Sequence, residues 1–407
     1  MQDLLHLYRL FPEAKRAVEA LMTEQNNAGA AAKANDMLAH IFDILKDKTN
    51  ALSAPNRLCA IGTQDTFSIK SALDWLREAE TLCVRLLYSA PHHSLMRRNL
   101  DASFLAMMMS IKNASLEQVT QHIKQAFYAL DSGTRKRFQD YVNTYSLWGS
   151  FDPENGDHGV LENRARSLHD HADDFIWLYE RLADYRSRYT LFALVNNWYG
   201  FVFNDLDRCR ERVFREYFDL DVIQCGPDEV FVDLGAFTGD TVIDYIATYG
   251  LCYKRIYCYE ITPETFRLLQ ENTRLMPNIV LCNRGAGEKS GDMYLSVNPH
   301  ASANRVAGEG KIKVPIVAID EDVNEPVTFI KMDIVGSEQK ALLGCRGHIM
   351  SERPKLAISV HHTSEDIWKI PRMIEEICPG YLFYLRHHGG TLVPTEMTLL
   401  AVFPENY

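Results

Sequence analysis

From residue 225 onward, short β-branched or apolar runs alternate with stretches of helical period, and this alternation restricts the fold more than any other feature of the chain. EVFVDLG (229–235) reads as a buried strand and is followed by GDTVIDYIATY, a helix closed by Gly250. RIYCYEI is a second strand, after which TPETFRLLQENTR opens a helix with Thr262 as N-cap and Pro263 in the first turn. NIVLCNRG, VTFIKMDIV and KLAISVHH supply three more strands, with GSEQKALLGCRGHI and SEDIWKIPRMIEEI as helices around the last two. GYLFYLRHH and MTLLAVF close the chain as an antiparallel pair. Seven strands alternating with helices predict a doubly wound, mostly parallel α/β sheet covered on both faces. Ligands of such sheets lie beyond the carboxyl ends of the strands, near the switch point.

Residues 1–224 are written mainly in helical period. SLEQVTQHIKQAFYALDSG keeps Val119, Ile123, Phe127 and Leu130 on one stripe behind a cap region at Ser115–Glu117. The stretch from His169 to Tyr199 lacks Gly and Pro and reads as one long helix or two abutting ones. Between them GSFDPENGDHG (149–159) gathers turn residues and is the best linker, exposed loop or sub-boundary. The expected division is therefore an α-helical region, 1–224, and a sheet domain, 225–407. At 407 residues and 46% hydrophobic, the chain can bury more than one core. A net charge of −11 argues against nucleic acid or an anionic membrane as partner. No run of about 18 apolar residues predicts a membrane span. The N-terminus, with an acid at position 3, does not read as a signal peptide. Nine scattered cysteines without a CxxC pair fit reduced thiols and a cytoplasmic location. The basic spots LMRRN and TRKRFQD read as solvated helix faces, and Trp198, Tyr199, Phe201 and Phe203 as an interface core between the halves.

In VDLGAFTGDT, Asp233 ends the first strand, and Gly235 and Gly239 let the backbone turn tightly and approach a ligand. The following helix aims free N–H groups at the same spot. The spacing is GxxxG, not the GxGxxG that a pyrophosphate cradle asks for. Twenty-five residues after Gly235 the second strand ends in Glu260, a carboxylate able to accept from both ribose hydroxyls of an adenosine. An acid, a loose glycine turn and a second acid describe S-adenosylmethionine better than NAD.

FVDLGAFTGDT, YCYEITPETFRLL, FIKMDIVGSEQKALLG and the closing EMTLLAVF together resemble FkbM-type methyltransferases, a branch of the class I, Rossmann-like methyltransferases that use S-adenosylmethionine. The resemblance runs over roughly residues 225–405, with the motifs in the family's order. It implies a cofactor-binding set of Asp233, Gly235, Ala236, Thr238, Gly239, Asp240, Glu260, Ile261, Gly285, Ala286 and Asp333, with Asn283–Ala286 where the adenine packs. Two positions depart from it. Phe237 stands where many members have Asn, and Val335 stands where the KxDxEGxE signature has its first glutamate, while Glu338 retains the second.

Methyl transfer to an alcohol needs alignment, exclusion of water and a base for the acceptor's proton. The catalytic candidates are Asp333, Glu338 and His361. Asp333 is equally able to meet the cofactor's amino group, and Glu338 is favoured by a helix dipole in any case. His361 and His362 are adjacent on a strand, so at most one faces the cleft. His387 and His388 read as rim or turn residues. No metal is expected, because a site from Asp333, Glu338 and these histidines lacks a ligand spacing such as HxxxH. NPHASANRVAGEG (298–310) reads as strandless, either a connector or a lid using Ser302, Asn304 or Arg305. The resemblance points to O-methylation of a sugar, glycolipid or secondary-metabolite hydroxyl, hence a small-molecule or glycan acceptor. The helical half is a candidate dimerisation surface. The alternatives are a cofactor-binding scaffold that has lost transfer, supported by Val335, and an oxidoreductase, opposed by the missing GxGxxG.

Overall fold

The computed structural model describes residues 2–23, 28–48, 72–77, 79, 80, 83, 95–296, 298, 304–307 and 312–404. Two compact units result, Met1–Ala114 and Ser115–Tyr407. In the first, helices Gln2–Thr23 and Ala28–Lys48 pack together. Leu7, Phe11, Ala14 and Val18 recur at three- and four-residue spacing and are buried, as are Leu38, Ile41 and Leu45 on the second helix. A further helix, Leu95–Asn113, buries Phe104, Met108 and Ile111.

The second unit is built on a seven-stranded sheet: β1 (Val230–Leu234), β2 (Arg255–Tyr259), β3 (Ile279–Cys282), β8 (Phe329–Met332), β9 (Lys355–Ser359), β10 (Leu382–His387) and β11 (Met397–Val402). Their order is β10-β11-β9-β8-β1-β2-β3, parallel except for β11, which runs antiparallel to both neighbours. The chain leaves β1 toward β2 and β3, then returns on its other side through β8 and β9, so the switch point lies between β1 and β8. Phe231 and Phe329 stack at 4.7 Å on neighbouring strands and anchor a core shared with Phe218 and Tyr245.

A smaller sheet, ordered β4-β7-β5-β6, joins Gly285–Ala286, Ile312–Val317, Gly291–Ser296 and Arg305–Ala307. Thus the segment 298–310, expected to be strandless, carries β6, which finds its hydrogen-bond partners on β5. Ser302 lies outside the described residues.

The unit boundary at 114/115 precedes the change of sequence pattern at 225, because residues 115–224 fold with the sheet domain. Leu182 bridges to Phe383, and the buried Arg386 donates to Asp184 and Asp219. Ser167 donates to the carbonyl of Ser364 at 2.6 Å. Helix Leu116–Tyr128 starts at a capping box between Ser115 and Gln118, not Glu117. The 169–199 stretch holds the end of helix Gly159–Asp170 and two further helices, Ala172–Arg181 and Tyr185–Gly200, the last two separated where Asp184 caps the second by accepting from the N–H of Ser187. The turn-rich segment 149–159 is not a linker. Its Phe151 is buried against Phe127 and Phe138, and Phe201 joins the same aromatic cluster. Among the described residues no helix is long and apolar enough to cross a membrane.

Candidate functional site

A cavity of about 350 Å³ opens at the carboxyl ends of β1, β2 and β8, and its walls are set by backbone turns. Gly235 sits at φ +87°, and a Cβ there would fall 2.0 Å from the carbonyl oxygen of Asp333, so β1 and β8 approach this closely only because the position is glycine. The N–H groups of Gly235 and Ala236 both donate to the carbonyl of Tyr259, tying the turn to the end of β2. Gly239, at φ +90°, starts the helix Asp240–Tyr249 and lies against Leu269 and Thr273. Four non-glycine residues of the cavity lining adopt positive φ: Tyr217 (68°), Phe237 (45°), Val335 (50°) and Glu396 (50°).

Of the expected cofactor-binding residues, Gly235, Asp240, Glu260, Ile261, Gly285, Ala286 and Asp333 line the cavity, while Ala236, Thr238 and Gly239 shape the turn behind it. Asp233 does neither. It is fully buried and pairs at 3.1 Å with Lys331, its register partner on β8. Burial pushes the Asp233 carboxyl up to about 6 against the pull of Lys331. The Lys331 ammonium, 1% exposed, also donates to the carbonyl of Gly235 at 2.7 Å and lines the cavity in Asp233's place.

Glu260 is held by the turn that follows it: one oxygen accepts from the Thr262 N–H (2.6 Å) and the Thr265 hydroxyl (2.8 Å). Burial raises its pKa despite these donors. Asn283 does not face the cavity. It donates to the Glu260 carbonyl and so fixes the tip of β2. Asn304, whose amide donates to the Thr262 hydroxyl at 3.3 Å, joins the cavity wall.

At the other end, Asp333 accepts from the Tyr217 hydroxyl at 3.0 Å and lies 3.4 Å from Nε2 of His362. Burial would raise the Asp333 carboxyl, but Lys331, the two histidines and Tyr217 hold it down at about 2. It is therefore ionised and only weakly basic. Glu338 is fully buried and does not reach the cavity. Its carboxylate accepts from the N–H groups of Ile334 and Gly336 and lies 2.9 Å from Nδ1 of His362, so it staples the loop that follows β8. Burial would lower His362, yet Glu338 and Asp333 carry it up to about 9, an imidazolium wedged between two carboxylates. His361 is the opposite case: burial and its charged neighbour press it down to about 3, and it is neutral. Its carbonyl receives the indole N–H of Trp148 at 2.7 Å. His387 and His388, at the end of β10, are lowered to about 4 by burial and stand away from the cavity.

Among the described residues, Asp333, Glu338 and His362 bring ligand-type atoms within 4.8 Å of one another. Both His362 nitrogens face carboxylates and both Glu338 oxygens are engaged, so the cluster is balanced by a proton on His362.

Glu216, Tyr217 and Glu396 complete this end of the cavity; the first two lie outside every motif, and Glu396 opens the closing EMTLLAVF. Glu216 and Tyr217 precede β1, and Glu396 immediately precedes β11; only tertiary packing brings them together.

No family model and no curated protein matches the chain. Among solved structures, it is similar to the methyltransferase FkbM from Methylobacillus flagellatus KT, with 27% identity, a TM-score of 0.52, and 65% of this chain and 66% of that chain covered. The chain thus spans just under two thirds of that protein's length. An rRNA methylase from Streptococcus thermophilus aligns at 12% identity and TM-score 0.32, over 47% of this chain and 99% of that one. Fibrillarin from Aeropyrum pernix, in complex with S-adenosyl-L-methionine, aligns at 15% identity and TM-score 0.29, over 44% and 67%.

Proposed function

We propose that this chain is an S-adenosylmethionine-dependent methyltransferase that methylates a hydroxyl of a sugar, glycolipid or secondary metabolite. The observation that carries the reading is the cavity at the switch point, where the Gly235 turn presses on Asp333 and Glu260 stands at the tip of the adjacent strand. Its volume suits a nucleoside-sized ligand. Glu260 would take the ribose hydroxyls, Gly285 and Ala286 the adenine, and the Gly235–Asp240 turn the amino-acid end. When bound, the sulfonium supplies an activated methyl group.

The chain's own contribution is placement and charge. Lys331 locks the Gly235 carbonyl, and so the turn, against β8. Asp333, kept ionised by its neighbours, presents fixed negative charge at the cavity wall, which favours a cationic donor without a base of ordinary strength. Glu338 and His362 hold the loop carrying Val335 in its positive-φ conformation.

Calorimetry with S-adenosylhomocysteine, with NAD as control, tests the cofactor. Binding of NAD alone would sink the reading. Incubation of glycosides and hydroxylated metabolites with trideuteromethyl-labelled donor then tests the acceptor class by a 17-dalton gain, about the mass of a labelled methyl replacing a proton. Val335 keeps a second reading in view, a cofactor-binding scaffold without transfer. Methylation that appears only after Val335→Glu would favour it.

A further inference from the structure

We infer that Glu216 and Glu396 form a proton-sharing carboxyl pair at the acceptor end of the cavity, and that the ionised member is the base that takes the acceptor's hydroxyl proton. The inference rests on the methyltransferase reading and names the residues that do what position 335 lacks the chemistry to do.

Both side chains line the cavity that also holds Asp333 and Val335. They come from separate segments, one before β1 and one before β11, and Thr398, the donor to Glu216, stands two residues beyond Glu396, which brings both carboxyl groups to one corner of the cavity. Glu216 accepts from the Thr398 hydroxyl at 3.2 Å. Nε2 of His361 stands 3.9 Å from Glu396, but that ring is 8% exposed and neutral, so it brings no compensating charge. The other groups facing the pair are Asp333, Lys331 and, toward Glu396, His362 and Tyr141. Lys331 is already committed to Asp233 and His362 to Glu338 and Asp333.

Two carboxyls this close, with no cation of their own, cannot both ionise readily. Burial first, and then the carboxylates of Glu396 and Asp333, raise Glu216 well above the usual carboxylate range, and burial with Asp333 raises Glu396. A carboxylate raised in this way is a stronger base than Asp333, which is held at about 2. In the step itself the acceptor's O–H bond breaks and its proton passes to the ionised carboxylate, while the oxygen bonds the methyl carbon and the carbon–sulfur electron pair stays with sulfur.

The test needs no acceptor. Sinefungin replaces the methylated sulfur of the cofactor with a carbon bearing an ammonium group, which stands where the methyl would be and meets whatever carboxylate faces it. Calorimetry compares sinefungin with S-adenosylhomocysteine on the full chain, on Glu216→Gln, on Glu396→Gln and on the double variant. The expected result is a wild-type preference for sinefungin of about tenfold or more at pH 8. Glutamine stands in for the protonated member, so each single variant keeps the preference through its remaining carboxylate, and the double variant falls to within about threefold of parity, with S-adenosylhomocysteine binding unchanged. In the wild type it also fades as pH drops, starting above the ordinary carboxylate range. If a glutamine variant loses S-adenosylhomocysteine as well, the corresponding aspartate, which keeps the charge but shortens its reach, is read by the same criterion. Binding of S-adenosylhomocysteine without a preference for sinefungin, or a preference that survives both glutamate substitutions and disappears only in Asp333→Asn, would overturn the pair's role alone. No binding of S-adenosylhomocysteine by the wild type would overturn the cofactor reading, and this role with it.

Discussion

Replacing Gly235 with alanine adds one methyl group at the point where β1 and β8 come closest, and Gly156→Ala supplies its control. Both glycines have positive φ, +87° and +81°, so each alanine meets left-handed backbone strain of about 1–2 kcal/mol. At Gly156 a Cβ would meet nothing within 4 Å, and the cost should end there. At Gly235 it would lie 2.0 Å from the Asp333 oxygen, 2.9 Å from its carbonyl carbon and 3.2 Å from Ile334. The first contact is with backbone, which has no rotamer to yield, so the two strand ends must part by about 1 Å; overpacking of this kind costs roughly 1–3 kcal/mol. Gly235→Ala should therefore lose about 2–5 kcal/mol in total, a large share of ordinary domain stability. The assay is urea unfolding followed by tryptophan fluorescence. Trp148, Trp177, Trp198 and Trp368 all lie in the 115–407 unit, so their transition reports on it. The same displacement moves Asp333 and should weaken S-adenosylhomocysteine binding. Equal destabilisation by the two alanines, within about 0.5 kcal/mol, would refute the close approach and with it the geometry assigned to the turn.

Three further outcomes are expected. His362 is carried from 6.5 to about 9 by its carboxylates, so its contribution to stability is complete below pH 6.5 and disappears as pH rises through 9. Urea midpoints measured at pH 6 and pH 9.5 should differ by on the order of 2–3 kcal/mol in the wild type and much less in His362→Gln. Glu260→Gln should weaken S-adenosylhomocysteine by about 10- to 100-fold in calorimetry, the worth of charged hydrogen bonds, while unfolding shifts by less than about 1 kcal/mol. Val335→Asn should raise the melting temperature, because a β-branched residue at φ 50° carries strain of about 1 kcal/mol or more that asparagine tolerates better.

Strand–helix alternation, the glycine turn and Glu260 were legible because each rests on local chemistry: period, backbone freedom and a strand tip. The seven strands occur where the sequence places them, and the cavity opens where such sheets hold ligands. Asp233 shows where local reading stops. As the last charged residue of a strand it reads as a ligand to the cofactor, but its fate depends on the neighbouring strand, where Lys331 occupies the paired register position. The signal was present in FIKMD, whose lysine interrupts an otherwise apolar buried strand; a parallel strand of that kind keeps a charge only if a partner lies beside it. Glu338 escaped for a related reason. A carboxylate two residues past a glycine in a tight loop satisfies backbone N–H groups at short range, and that demand outweighs any reach toward the cavity.

The acceptor end was illegible for a different reason, and it bears on how this chain departs from the signature it resembles. Glu216 and Glu396 are 180 residues apart, the first outside every motif and the second at the head of the closing EMTLLAVF, so nothing short of the folded sheet, with β11 inserted antiparallel between β9 and β10, brings them together. The glutamate that position 335 lacks would have stood on the loop after β8, on the positive-φ residue whose conformation Glu338 and His362 enforce. Valine leaves that scaffold intact while removing its charge. The negative charge at this end then comes from Asp333, too acidic to accept a proton at neutral pH, and from the two glutamates, whose mutual repulsion and burial make one of them able to. Loss of a motif residue and loss of the chemistry are therefore separable in this fold. The sequence reports the first, and only the packing of distant segments against one another decides the second.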